Sequence, residues 1–110
     1  MKAIYRLKKN YQYRYVYTHS QSVADKFFVV LFCKSKNQQS KVGFSVNKKF
    51  GHAVKRNRIR RQMKSAVSQF APSITPFFNV VIVPRKSEDY AFADVVSSLN
   101  KLFVKAGLLQ

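Results

Sequence analysis

The amino-acid sequence predicts an α/β fold on three observations. Residues 27–33, FFVVLFC, form a short apolar run rich in aromatics and valine, which reads as a strand buried on both faces. In residues 42–46, Val42, Phe44 and Val46 alternate with Gly43 and Ser45, the period-two pattern of a strand with one buried face. Two further stretches repeat their apolar residues at helical spacing. In one, Ile59, Met63, Ala66, Val67 and Phe70 fall within an arc of about 100°. In the other, Phe92, Val95, Val96, Leu99, Leu102, Phe103 and Ala106 recur at steps of three and four.

Taken in chain order, the first segment is ambiguous. Tyr11, Tyr13, Tyr15 and Tyr17 alternate with Gln12, Arg14 and Val16, as a strand would. A helix capped by Asn10, with Tyr13, Val16 and Tyr17 on one face, fits equally well. The strands at 27–33 and 42–46 are separated by the polar loop KSKNQQSK and are expected to pair as a hairpin. A third strand, residues 79–83, follows the loop APSITPFF and stops at Pro84, which has no amide hydrogen for a ladder bond. The central helix has an apolar back. Arg60, Lys64, Asn57, Arg61 and Arg58 occupy the opposite side, with Lys55 and Arg56 at the margins of the first turn. For the last helix Ser87 is the expected N-cap. Glu88 and Asp89 suit the positive end of the dipole, Lys101 and Lys105 the negative end, and Gly107 the stop.

With 110 residues the chain suits one compact domain, residues 1–110, and excludes a large multidomain enzyme. Lys plus Arg number 21 against 4 for Asp plus Glu, a formal net charge of +17, which calls for a polyanionic partner. A hydrophobic fraction of 46%, with only 3 Gly and 3 Pro, excludes a disordered basic tail. No carboxylate occurs between Lys26 and Ser87, although the densest cationic run, residues 48–64, lies there. A merely solvated helical face interleaves Glu with Lys, and this one does not. Cys33 is the single cysteine and has no partner for an intramolecular disulfide, and no Cys/His group has zinc spacing. The first ten residues lack the apolar stretch of a signal peptide, and the run at 27–33 falls far short of the roughly 20 residues that cross a bilayer. A cytoplasmic, non-membrane protein is therefore expected.

A protein-only nuclease needs a general acid, a general base and a stabiliser of the phosphorane, commonly paired carboxylates with metals or two histidines with a lysine. Asp25 stands alone, and Glu88, Asp89 and Asp94 read as helix-terminus residues. His19 and His52, with Lys48 or Lys49, are the only histidine arrangement to weigh, and no spacing rule supports it. Cys33, within an apolar strand, reads as an inert small hydrophobe. Exposed cations beside aromatic rings are instead the two ingredients of single-stranded nucleic-acid binding. A small ribosomal or architectural RNA-binding protein would share them. A cationic membrane-active peptide is disfavoured by the core-facing stripe of the basic helix.

Residues 42–61, VGFSVNKKFGHAVKRNRIRR, closely resemble the signature stretch of the bacterial ribonuclease P protein subunit: a Lys-Lys pair, Ala-Val and an Arg-Asn-Arg core, here Arg56-Asn57-Arg58. Further matches are Leu7-Lys8-Lys9-Asn10, Phe28-Val29, Ser98-Leu99 and Leu102-Phe103, so the resemblance spans nearly the whole chain. It implies a two-layer α/β sandwich in the order α-β-β-α-β-α, with a central sheet and a left-handed crossover through the Arg-Asn-Arg helix, against the usual right-handed rule. It also favours a helix for the first segment. The function implied is that of a subunit assisting a catalytic RNA in removing the 5′ leader from precursor tRNA, with no catalytic residue in the protein and Mg²⁺ held mainly by the RNA. Carried over by position, Lys48, Lys49, Lys55, Arg56, Asn57, Arg58, Arg60, Arg61 and Lys64 resemble residues that face the RNA subunit. Tyr13 and Tyr17, with Phe44 from the sheet, resemble those lining a cleft for the single-stranded leader. The partners implied are the catalytic RNA and precursor tRNA, with no obligate protein partner. Tyr11, Tyr15, His19 and His52 receive no role.

Overall fold

The computed structural model of the chain describes residues 1–85 and 88–110. Its elements follow in the order α1 (Asn10–His19), β1 (Gln21–Ala24), β2 (Phe28–Lys34), β3 (Lys41–Phe44), α2 (Ala53–Ser68), β4 (Phe78–Pro84) and α3 (Phe92–Lys105). The strands form one sheet in the order β1-β2-β4-β3. β2 is antiparallel to both β1 and β4, while β3 runs parallel to β4.

Two expectations are corrected here. The strands at 27–33 and 42–46 do not form a hairpin, because β4 lies between them. β4 is the strand whose Val80, Val81 and Ile82 are all buried, and such a run gains most where both of its faces and both of its edges are covered. β3 then reaches β4 as a parallel partner, with α2 as the crossover that parallel pairing requires. The expected order also gains a short edge strand, β1. Its sequence QSVA carries one half-buried residue, Val23, too little apolar signal to mark a strand. At the other edge β3 closes at Phe44, although the Ser45 amide still donates to the Ile82 carbonyl at 3.0 Å.

The sheet has helices on both faces. Phe28, Val30 and Phe32 of β2, Val42 of β3, and Val80 and Ile82 of β4 pack in one core with Ile59, Met63, Ala66 and Val67 of α2 and Val95, Leu99, Leu102 and Phe103 of α3. The alternate residues Leu31, Cys33, Val81 and Val83 meet Leu7 and Val16 of the α1 side. Period-two alternation thus gives β2 and β4 an apolar residue set on each face.

The helix ends are more varied than their sequence suggested. α1 is a helix, as the resemblance favours, but Lys9 is its N-cap and Asn10 its first residue; the Lys9 amide donates to the Gln12 side chain at 3.1 Å. α3 opens after Ala91, so Glu88 and Asp89 precede it and Asp94 is the acid in its first turn. Ser87 lies outside the described residues. Gly107, at φ 80°, closes α3 as expected: its amide reaches Val104 and that of Leu108 reaches Phe103, the double bond of a Schellman stop. Asp25 is structural. Its carboxylate accepts from the amides of Phe27 at 2.8 Å and Phe28 at 2.9 Å and from the Ser98 hydroxyl, tying the β1–β2 turn to α3.

Candidate nucleic-acid interface

α2 exists because four buried residues, Ile59, Met63, Ala66 and Val67, recur on one face. Packing of that face must offset repulsion among Arg56, Arg60 and Lys64, which stand one turn apart with no carboxylate nearby in sequence. Asn57, Arg58 and Arg61 are exposed on the opposite side, and Lys48 and Lys49 are exposed in the single turn before the helix. Lys55, Arg56, Arg60 and Lys64 are half-buried. The Lys55 ammonium sits 5.6 Å from the centre of the Phe50 ring. The buried Nε of Arg56 has no hydrogen-bond partner among the described residues. Arg60 donates to the Asn57 side chain at 3.2 Å and toward the Val46 carbonyl at 3.5 Å, so it leans onto the end of β3 instead of standing free with Arg58.

That lean joins the cationic helix to α1. Tyr13 is half-buried, its hydroxyl donating to the Leu7 carbonyl at 3.3 Å and accepting from the Phe44 amide at 3.3 Å. Burial pushes its pKa up, against the pull of the Phe44 amide and of Arg6 and Arg60, so the phenol is neutral at physiological pH. The ring passes so close to β3 that a Cβ built on Gly43 would stand 2.5 Å from the tyrosine oxygen. Tyr17, one turn along, is exposed. Arg60, Tyr13 and Tyr17 therefore form one continuous surface of cation and rings. Exposed Arg6 lies near Tyr13 as well, and Gly43 is buried beneath the tyrosine ring. A glycine inside an otherwise apolar strand is the signal that could have marked this close approach.

Phe44 does not share that surface through its ring. It lies on the same strand face as Val42 and packs against the core beneath α2 and α3, on the side of the sheet away from Tyr13. Only its backbone amide reaches the tyrosine, which corrects the expectation that three rings line one cleft. Leu31 is half-buried beside α1. His19 and His52 are at opposite ends of the sheet. His19 borders the place where β2 ends at Lys34 and β4 begins at Phe78, whereas His52 follows β3, whose last residue pairs with Ile82. Cys33 is buried, and burial pushes its thiol pKa up, so it is not a thiolate nucleophile. Among the described residues no group of three His, Cys, Asp or Glu side chains converges. No described helix is long and apolar enough to cross a membrane.

The Ribonuclease P family profile matches residues 1–107 of this chain. The chain belongs to the ribonuclease P protein family. It is 36% identical over 110 residues to the ribonuclease P protein component of an Exiguobacterium strain, covering 100% of this chain and 96% of that one. To the same component of Clostridioides difficile it is 40% identical over 98 residues, 87% of this chain and 86% of the relative. The solved RNase P protein of Staphylococcus aureus superposes with a TM-score of 0.87 at 31% identity, covering 99% of this chain and 100% of the other. Family membership makes this chain a subunit of a tRNA-processing ribonuclease P that has an RNA partner.

Proposed function

We propose that this ribonuclease P family protein assists a catalytic RNA in cutting the 5′ leader from precursor tRNA, and that the polypeptide breaks no bond itself. The observation that carries this reading is the continuity of the exposed α2 cations with Arg60, Tyr13 and Tyr17. Lys48, Lys49, Lys55, Arg56, Asn57, Arg58, Arg61 and Lys64 grip phosphates of the RNA subunit. Arginine does so through its planar fork and lysine as a point charge. Arg60 bridges to the flank where Tyr13 and Tyr17 offer rings to the unpaired bases of the leader. Phe44 supports that flank through its amide.

The α2 face does not fit a metal. It offers ammonium and guanidinium groups where Mg²⁺ takes oxygen ligands, and the Asn57 amide oxygen already accepts from Arg60. In this reading Mg²⁺ is held by RNA phosphates, and the protein lowers the repulsion between RNA subunit and substrate. The work takes place in the cytoplasm.

Reconstitution tests the proposal. The purified chain, mixed with a bacterial ribonuclease P RNA at low Mg²⁺, is expected to accelerate cleavage of precursor tRNA, and the complex to bind precursor more tightly than mature tRNA. Equal affinities and no acceleration would overturn it.

A further inference from the structure

Helix α1 carries four tyrosines, and the function above uses the two on one flank. At about 100° per residue, Tyr15 and His19 fall on the other flank, with buried Val16 against the sheet between the two pairs. Their rings are stacked, with centroids 4.2 Å apart and planes at 19°. The His19 Nδ1 lies 3.2 Å from the Tyr15 carbonyl oxygen, which holds the imidazole in place. Rings that only filled a core would be covered; Tyr15 is 52% exposed, and His19 is exposed too. The pair borders a groove of about 470 Å³, lined also by Gln21, Cys33, Lys34 and Phe78. Lys34 is exposed at the end of β2, Lys36 is exposed just beyond it, and the nearest acid along the chain before them is Asp25, already bound to Ser98.

We infer that the Tyr15–His19 step, with the Lys34 ammonium, is a subsite for one unpaired nucleobase of the RNA leader. The inference rests on the leader-binding reading above and names the continuation of the same strand. A strand passing from the α2 cations over Tyr13 and then Tyr17 travels toward the C-terminal end of α1. His19 is the last residue of that helix, so a strand that rounds the end meets the stacked rings next. Gln21 offers an amide to the edge of the base and Lys34 a charge to its phosphate. Because every base has a π-face, the subsite adds affinity with little preference for sequence.

The test uses holoenzymes assembled from a bacterial ribonuclease P RNA and either the wild-type chain or Tyr15→Ala. They are titrated with precursor tRNAs whose leaders lengthen by one nucleotide at a time, with 2-aminopurine at the newest position. With the wild type, affinity is expected to rise about five-fold or more at one leader length beyond that which reaches Tyr17, with fluorescence quenched at that position. Tyr15→Ala removes both the rise and the quenching, His19→Ala weakens them, and Tyr15→Trp retains them. Mature tRNA, which has no leader, binds Tyr15→Ala and wild type alike, and thermal melts of the free chains stay close together. Identical leader-length profiles for wild type and Tyr15→Ala overturn the inference. So does a loss in Tyr15→Ala that is equal for precursor and mature tRNA, which would assign the rings to the RNA subunit. A wild-type holoenzyme that fails to distinguish precursor from mature tRNA overturns the leader-binding reading itself.

Discussion

Tyr13 reaches the Phe44 amide only because position 43 has no side chain. In Gly43→Ala the new Cβ would meet the tyrosine oxygen at 2.5 Å and the ring carbon bearing it at 2.6 Å, so the ring must move and its two hydrogen bonds are lost. Overpacking of this kind costs about 1–3 kcal/mol. Urea denaturation is expected to show that loss, and Gly43→Ala combined with Tyr13→Ala is expected to fall short of the sum of the single losses. Asp25 makes a second prediction at this scale. Burial alone would raise its pKa, but the Ser98 hydroxyl, the amides of Phe28 and Phe27 and the nearby Arg85 outweigh it and hold the carboxyl below its ordinary 3.8. A depressed folded pKa means the stabilisation is complete above the unfolded value and is lost as pH falls from there through the folded one. Melts of the wild type are therefore expected to weaken across that acid range, while Asp25→Asn starts lower and shows a flatter acid limb. A wild-type profile no steeper than that of the variant would contradict this. Neither residue was fully legible beforehand. Asp25 was a lone acid, and nothing in residues 42–46 said which ring would cross Gly43.

At the scale of the element, α2 separates its two tasks by face. Ile59 is buried among sheet and α3 residues, so Ile59→Asp places an unpaired charge in the core and is expected to unfold the protein. Arg58 is exposed, so Arg58→Ala is expected to leave thermal unfolding within about 0.5 kcal/mol of wild type. Its affinity for the RNA subunit should nonetheless fall. Circular dichroism melts and filter binding check the pair, and the reverse ordering would show that the faces have been exchanged. Arg60 belongs to neither class, because its contact with the Val46 carbonyl couples the two tasks. The wheel places Arg60 and Lys64 among the outward residues, yet both are half-buried: a long side chain follows the apolar surface that its Cβ direction alone does not reveal. The same limit hid β1, whose edge position needs little apolar content and leaves little trace in QSVA.

For the molecule as a whole, a net charge of +17 on 110 residues makes association with RNA an ion-release equilibrium. If about six phosphates are neutralised, affinity for duplex-like RNA is expected to fall by about three orders of magnitude between roughly 50 and 200 mM salt, less steeply for single strands. Binding measured across that range checks it, and a flat profile would remove the electrostatic basis of the function. Charge, the amphipathic α2 and the Arg56-Asn57-Arg58 motif are properties of neighbouring residues, and the sequence alone determined them, together with the family and the class of partner. Strand order was decided elsewhere. β4 enters between β2 and β3 because its buried valines and isoleucine outcompete a local hairpin, and the buried Ser40 hydroxyl secures the arrangement by donating to the Thr75 carbonyl at 2.5 Å and accepting from the Phe78 amide at 3.0 Å. The same long-range packing turned the Phe44 ring away from Tyr13 and gave the four tyrosines of α1 two separate flanks. Periodicity says which residues share a face, but which face meets which neighbour is settled only when distant segments compete for the same buried surface.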